Sequence, residues 1–135
     1  MSSFGDSLAP IEMNEERFLS LLEKLIGESV HLQNNPSQGL IPREDCASDH
    51  VLEFLKPFSE ECGGPLKVER ISFVENRGNV IIRYPGTTDK ICSFVGSHLD
   101  VVPATPATWQ RDPFKLIVEG DLLYGRGTTG GYLCI

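Results

Sequence analysis

Apolar residues in the first third of the chain recur at the three-and-four spacing of an amphipathic helix. The pattern follows Asn14, a favourable N-cap residue, and Glu15 and Glu16 occupy the first turn, where the helix dipole favours negative charge. Its apolar positions are Phe18, Leu21, Leu22, Leu25, Ile26 and Val30. We expect this helix to end before Asn34. A second helical pattern runs from Glu44 to about Lys56, with Ala47, Val51, Leu52 and Leu55 on one face.

Beyond the second helix, the period of the pattern changes from about 3.6 to about 2 residues, which is typical of strands. The predicted strands cover residues 66–73, 79–84, 91–97, 115–118 and 122–124. The third strand is apolar on both faces and is therefore expected to be central in its sheet. The last two strands form a predicted hairpin around Gly120. Two helices followed by these strands indicate an α/β layered domain.

Composition and charge exclude several classes of partner. The chain has 135 residues, which suits one modest domain, and 12 basic against 19 acidic residues give a net charge of -7. This acidity and the lack of a basic cluster argue against nucleic acid or an anionic membrane as a partner. No apolar run has the length of a membrane span. The four cysteines form no C-x-x-C pair, and no secretory signal is visible, so we expect reduced thiols and a cytoplasmic location.

The strongest candidate for chemistry is His98 with Asp100. In an extended backbone, side chains two residues apart point to the same side, so these two can contact each other. A carboxylate that accepts the proton of one imidazole nitrogen leaves the other nitrogen free to bind a metal ion. A hydrogen-bonded histidine at a strand end is the alternative, and the two residues alone favour it. For His31 and His50 we expect structural roles.

A second candidate is the loop of residues 125–129, with the sequence Gly-Arg-Gly-Thr-Thr. The glycines allow a sharp or crowded backbone path, although an ordinary turn has the same composition. The two threonine hydroxyls are expected to bond the backbone. Trp109 and Phe114 are expected to be packing anchors. A place along a substrate path is open to Trp109, Arg111 and Asp112, for which a structural role is favoured.

Three motifs occur in order and carry a resemblance to a known family: residues 96–103 (Gly-Ser-His-Leu-Asp-Val-Val-Pro), Trp109 with Asp112-Pro113-Phe114, and residues 120–129. Together they resemble the front of the zinc-dependent deacetylase, aminoacylase and carboxypeptidase family. Segments 25–29, 33–36, 40–42 and 94–96 resemble the plant-type acetylornithine deacetylases within it. The resemblance covers about residues 14–129.

The resemblance implies a fold, a metal site and a substrate class. It implies that residues 14–129 form part of a three-layer catalytic domain of the zinc-dependent exopeptidase type. His98 would bind one ion of a two-zinc site, which cobalt can also occupy, and Asp100 would be the catalytic residue that steadies the imidazole. The implied reaction removes acetyl from N-acetylornithine, a small-molecule N-acyl amino acid, in arginine biosynthesis. Related members hydrolyse other acylated amino acids or dipeptides.

The sequence departs from the family pattern after Thr129. There the family has an aspartate that bridges both metals, whereas this chain has Gly130 and ends at Ile135. The family's glutamate base, its other ligands and its domain for homodimer formation have no counterpart here. We therefore expect residues 1–13 to be a loose leader, residues 130–135 to be an atypical tail, and the chain alone to be inactive. The alternatives are a non-catalytic truncated isoform that acts by protein interaction, or a relative with another acyl substrate.

Overall fold

Two α-helices and two antiparallel hairpins account for most of the regular structure in the described residues, which are 13–91 and 98–129 of a computed structural model. The helices are α1 (Glu15–Glu28) and α2 (Glu44–Leu55), and the strands are β1 (Lys67–Ser72), β2 (Gly78–Arg83), β3 (Ile117–Glu119) and β4 (Leu122–Tyr124). Short 3₁₀ turns lie at Ser29–His31, Pro36–Gln38, Lys56–Phe58, Glu60–Cys62 and Pro106–Thr108.

Helix α1 begins where the sequence predicts. The Asn14 side chain accepts a hydrogen bond from the backbone N–H of Arg17 at 2.9 Å and so satisfies one of the free donors of the first turn. At the other end, the Ser29 hydroxyl donates to the carbonyl of Ile26 at 2.6 Å as the chain tightens into a 3₁₀ turn. The α-helix therefore ends well before Asn34, as predicted.

The core lies between the two helices, the chain that follows α1 and the segment around Val101. Its buried apolar residues are Leu22, Leu25, Ile26, Leu32, Ala47, Val51 and Val101. All three buried residues of α1 belong to the predicted apolar face, whereas Val30 of the same pattern is 42% exposed. Val101 brings the segment that carries His98 and Asp100 against this core.

The β1–β2 hairpin is attached to the start of α2. Its antiparallel register pairs Lys67 with Arg83 and Ser72 with Gly78. The Gly78 N–H donates to Asp45 Oδ1 at 2.9 Å, and a Cβ at Gly78 would lie only 2.5 Å from that oxygen. A larger residue at this position would displace the Asp45 side chain, whose hydrogen bond fixes the hairpin turn against the helix.

The β3–β4 hairpin reaches the core from the other end of the chain. Gly120 takes a left-handed φ of 56° in its turn, as the predicted hairpin requires, and Leu123 packs against the core. Gly125, which follows β4, lies against α1 so closely that a Cβ would be 2.9 Å from Ile26 Cδ1. The loop after β4 is thus packed on the first helix.

The strands confirm the predicted β3–β4 hairpin, and β1 and β2 form another, but the described residues do not show a single layered sheet. In the described ranges β1 pairs with β2, β3 pairs with β4, and the two sheets share no strand. Six of the seven residues predicted for the central strand (91–97) are residues 92–97, which lie outside the described ranges. The first residue of the prediction, Ile91, is 91% exposed and lies outside any strand. The leader, apart from Met13, and the tail lie outside the described residues as well. The three-layer arrangement thus stays a prediction.

Other side chains agree with their predicted structural roles. His31 is exposed, and its carbonyl accepts the N–H of Arg43 at 3.0 Å. Cys46 and Cys62 are free thiols, while the other two cysteines fall outside the described ranges.

Across residues 13–91 and 98–129, the helices lack the length and apolar composition needed to cross a bilayer.

Candidate metal centre

The segment that holds His98 and Asp100 is fixed beside the chain that leaves α1. Val101 donates its N–H to the carbonyl of Leu32, and Asn34 donates its N–H to the carbonyl of Val101, both at 2.9 Å. These two bonds form a short parallel bridge between Gln33 and Val101. The Gln33 side chain extends it, because its Oε1 accepts the N–H of Ala104 at 2.8 Å.

His98 and Asp100 contact each other, as their spacing predicts. His98 Nδ1 lies 3.0 Å from Asp100 Oδ1 and 2.8 Å from the Asp100 carbonyl oxygen. A carbonyl oxygen can only accept, so we assign the proton of the neutral ring to Nδ1. The His98 side chain is 68% exposed, and its Nε2 makes no hydrogen bond within the described ranges. The ring therefore presents a nitrogen lone pair to its surroundings.

The Asp100 carboxylate is held through both oxygens. Oδ1 faces His98, and Oδ2 accepts a hydrogen bond from Asn34 Nδ2 at 2.7 Å. Local spacing cannot predict a role for Asn34 at this site, because 66 residues separate it from Asp100. Only the pairing of the two chain segments reveals this partner.

A fixed cation lies near this carboxylate. Arg77, in the turn between β1 and β2, bonds Glu44 through Nη2 at 2.7 Å and through Nε at 3.0 Å. Glu44 raises the pKa of the Arg77 guanidinium, and the charge of Asp100 adds a smaller contribution in the same direction. The Arg77 guanidinium and the Asp100 carboxylate are thus close enough for their charges to interact.

Arg126, in the Gly-Arg-Gly-Thr-Thr loop of residues 125–129, contacts the segment that follows Asp100. Its backbone N–H donates to the carbonyl of Pro113 at 2.7 Å, and its Nη2 donates to the carbonyl of Pro103 at 3.3 Å. The guanidinium lies 4.7 Å from the centre of the Trp109 ring, within range of a cation–π contact. Arg126 thus ties the loop after β4 to the segment that follows Asp100.

Other residues of the loop and its surroundings have structural contacts. The buried Thr128 hydroxyl donates to the carbonyl of Gly125 at 3.1 Å, which confirms the predicted bond to the backbone. Arg111 forms a two-point pair with Glu119 and lies 4.2 Å from the Tyr124 ring centre. These contacts favour the structural role predicted for Arg111. An open groove of about 490 Å³ runs past Trp109 to Thr129.

The described residues do not provide a complete metal site. A catalytic zinc ion generally has three protein ligands. In residues 13–91 and 98–129, no three side chains of His, Cys, Asp or Glu are grouped so that they could hold a metal ion. His98 is oriented as a single ligand would be, and its role as a metal ligand and that of Asp100 as its catalytic partner remain predictions.

One family profile and several known proteins are similar to this chain. The sequence profile of peptidase family M20/M25/M40 matches residues 94–133. An acetylornithine deacetylase of Dictyostelium discoideum is 53% identical over 131 residues, covering 90% of this chain and 29% of the relative. One of Arabidopsis thaliana is 51% identical over 119 residues, covering 87% of this chain and 27% of the relative.

More distant similarity extends to a different acyl substrate. A succinyl-diaminopimelate desuccinylase of Wolbachia pipientis is 33% identical over 91 residues, covering 67% of this chain and 21% of the relative. The chain thus spans less than a third of the length of these relatives. No solved structure matches it.

Proposed function

We propose that this chain, which belongs to peptidase family M20/M25/M40 and is a homologue of acetylornithine deacetylases, is a portion of a metal-dependent amide hydrolase that removes acetyl from N-acetylornithine. The identity of 53% over 90% of the chain carries this proposal. The proposed place of action is the cytoplasm, and the proposed metal is zinc.

Within that hydrolase, we propose that this portion holds the His98 imidazole in place for the metal ion. His98 would offer Nε2 to a zinc ion, which lowers the pKa of bound water and polarises the amide carbonyl when it is bound. The carboxylate and the carbonyl oxygen of Asp100 both accept the Nδ1 proton, so the ring lone pair stays on Nε2 and faces outwards. The remaining ligands and the base lie outside the described residues, and we propose that the 135-residue chain alone does not hydrolyse the amide.

A segment exchange tests the proposal. Residues 14–129 replace the matching segment of the Arabidopsis thaliana acetylornithine deacetylase, and hydrolysis of N-acetylornithine is measured with added zinc. The exchanged protein is expected to turn over its substrate, whereas the 135-residue chain is expected not to. Turnover by the chain alone would show that it holds a complete site, contrary to the proposal.

A second host tests which acyl substrate the segment suits. The same residues are placed in the Wolbachia pipientis desuccinylase and assayed with N-succinyl-diaminopimelate. We expect activity in the deacetylase host and little or none in the desuccinylase host, because the sequence identity is 51% with the first host and 33% with the second. Activity in the desuccinylase host alone would instead favour the other substrate class.

A further inference from the structure

We propose that Asn34 is a positioning residue, which fixes the Asp100 carboxylate and through it the orientation of the His98 ring. Within residues 13–91 and 98–129, His98 and Asp100 lie outside every named strand, and the pairing next to them is the single bridge between Gln33 and Val101. A carboxylate held at one oxygen only can rotate and lose its partner. Asn34 occupies the second oxygen, and it comes from a different part of the chain.

The geometry of Asn34 is fixed by its backbone. Its N–H bonds the carbonyl of Val101, and the N–H of Val101 bonds the carbonyl of Leu32. Leu32 and Val101 are buried in the core, so this pair of bonds has a rigid base. The backbone of Asn34 is therefore held at Val101, the residue after Asp100. From this position the Asn34 side chain reaches the Asp100 carboxylate.

The chemistry requires a donor at this position. An ionised carboxylate only accepts, and the Asn34 amide donates to it at 2.7 Å, the length of a charge-assisted hydrogen bond. An aspartate in place of Asn34 has the same shape but no donor, and it would face Asp100 with a like charge. The Asn34 side chain is exposed, so this exchange leaves the core unchanged.

Asn35 provides a matched control on the same segment. Its Oδ1 accepts the hydroxyl of Ser37 at 2.6 Å, and an aspartate oxygen accepts in the same way. Asn35→Asp thus adds the same charge as Asn34→Asp but removes no donor that the described structure uses. A difference between the two variants therefore separates the loss of the Asn34 contact with Asp100 from the general effect of one added charge on this segment.

The test reads the imidazole directly in the full 135-residue chain, without metal or substrate. Histidine side chains are labelled with ¹⁵N, and the chain has three of them, so His98→Gln assigns the signal of His98. At about pH 9, where histidine is neutral, the ¹⁵N shifts report which ring nitrogen carries the proton. Asp100→Ala shows the shift that follows when the carboxylate is removed.

We expect the wild-type chain and Asn35→Asp to show His98 with the proton on Nδ1. In Asn34→Asp, the His98 shifts are expected to move towards those of Asp100→Ala. Unchanged His98 shifts in Asn34→Asp, or equal shifts in both asparagine variants, would overturn the positioning role. The relevance of Asn34 to hydrolysis rests on the proposed function, but this readout does not, so the two can fail separately.

Discussion

His50 and His98 each pair with a carboxylate, but they engage opposite nitrogens of the ring. Between the two helices, His50 of α2 contacts Glu28, the last residue of α1, with 3.2 Å between Nε2 and Oε1. Both side chains are 28% exposed. In the segment after residue 97, His98 uses Nδ1, its side chain is 68% exposed, and Nε2 faces outwards. A histidine paired with a carboxylate therefore joins two helices in one region and presents a ring nitrogen for binding in the other.

The largest expected effect separates these two histidines. In the deacetylase that carries residues 14–129, His98→Ala is expected to lower kcat/KM for N-acetylornithine at least about 100-fold, because the proposed metal ligand is lost. His50→Ala should leave most of the activity, since it removes only a contact between helices. Zinc content and steady-state kinetics of both variants check this. Equal losses in the two variants would contradict the distinction.

Loss of the carboxylate partner is likewise expected to lower kcat/KM more at His98 than at His50. Asp100→Asn in the exchanged protein should lower kcat/KM by about 10- to 100-fold, the usual cost of removing the partner that orients a metal-bound histidine. Glu28→Gln is the matched change at the other pair, and its kcat/KM should stay close to that of the parent. A larger loss with Glu28→Gln would reverse the assignment of the two regions.

Two glycines sharpen the comparison at the level of packing. Gly125→Ala in the 135-residue chain should lower the free energy of unfolding by about 1–3 kcal/mol, because the new Cβ meets Ile26 and the loop joined to Pro103 must move. Gly27→Ala within α1 is the control: open space surrounds it, and the change should raise the free energy by about 0.5–1 kcal/mol. Urea denaturation measures both, and a neutral Gly125→Ala would contradict the close packing.

The smallest expected effect concerns the thiol beside His50. Burial, and next the charge of Glu28, raise the pKa of Cys46 to about 11. At pH 8 only about one such thiol in a thousand is ionised, and the thiolate fraction rises towards pH 11. Iodoacetamide should therefore label the exposed Cys62 faster than Cys46, as mass spectrometry of the peptides can measure.

Glu28→Gln should speed the labelling of Cys46 at pH 8, because loss of the negative charge lowers the thiol pKa. Glu53→Gln, which removes the same charge from an exposed pair with Lys24, is the control and should have little effect. Slower labelling of Cys46 in Glu28→Gln would contradict the expected fall in the thiol pKa.

The sequence predicts those features that depend on local spacing. Asn14 and the apolar face of α1, the turn at Gly120, and the contact of His98 with Asp100 all follow from residues within a few positions of each other. Recognition of the family from its ordered motifs is confirmed by the homology to acetylornithine deacetylases.

Features that depend on distant parts of the chain could not be predicted. Asn34 reaches Asp100 across 66 residues, and Arg126 stacks on Trp109, because separate loops meet in the fold. No local pattern encodes which loops meet. The predicted central strand, the metal, the substrate and the inactivity of the chain alone stay proposals for the experiments above.

The most direct test of the two-region account is the ¹⁵N measurement of both rings in the wild-type 135-residue chain at about pH 9. The account predicts opposite tautomers, with the proton on Nδ1 in His98 and on Nε2 in His50. A His98 ring with its proton on Nε2 would contradict it, because no lone pair would then face outwards for a metal ion.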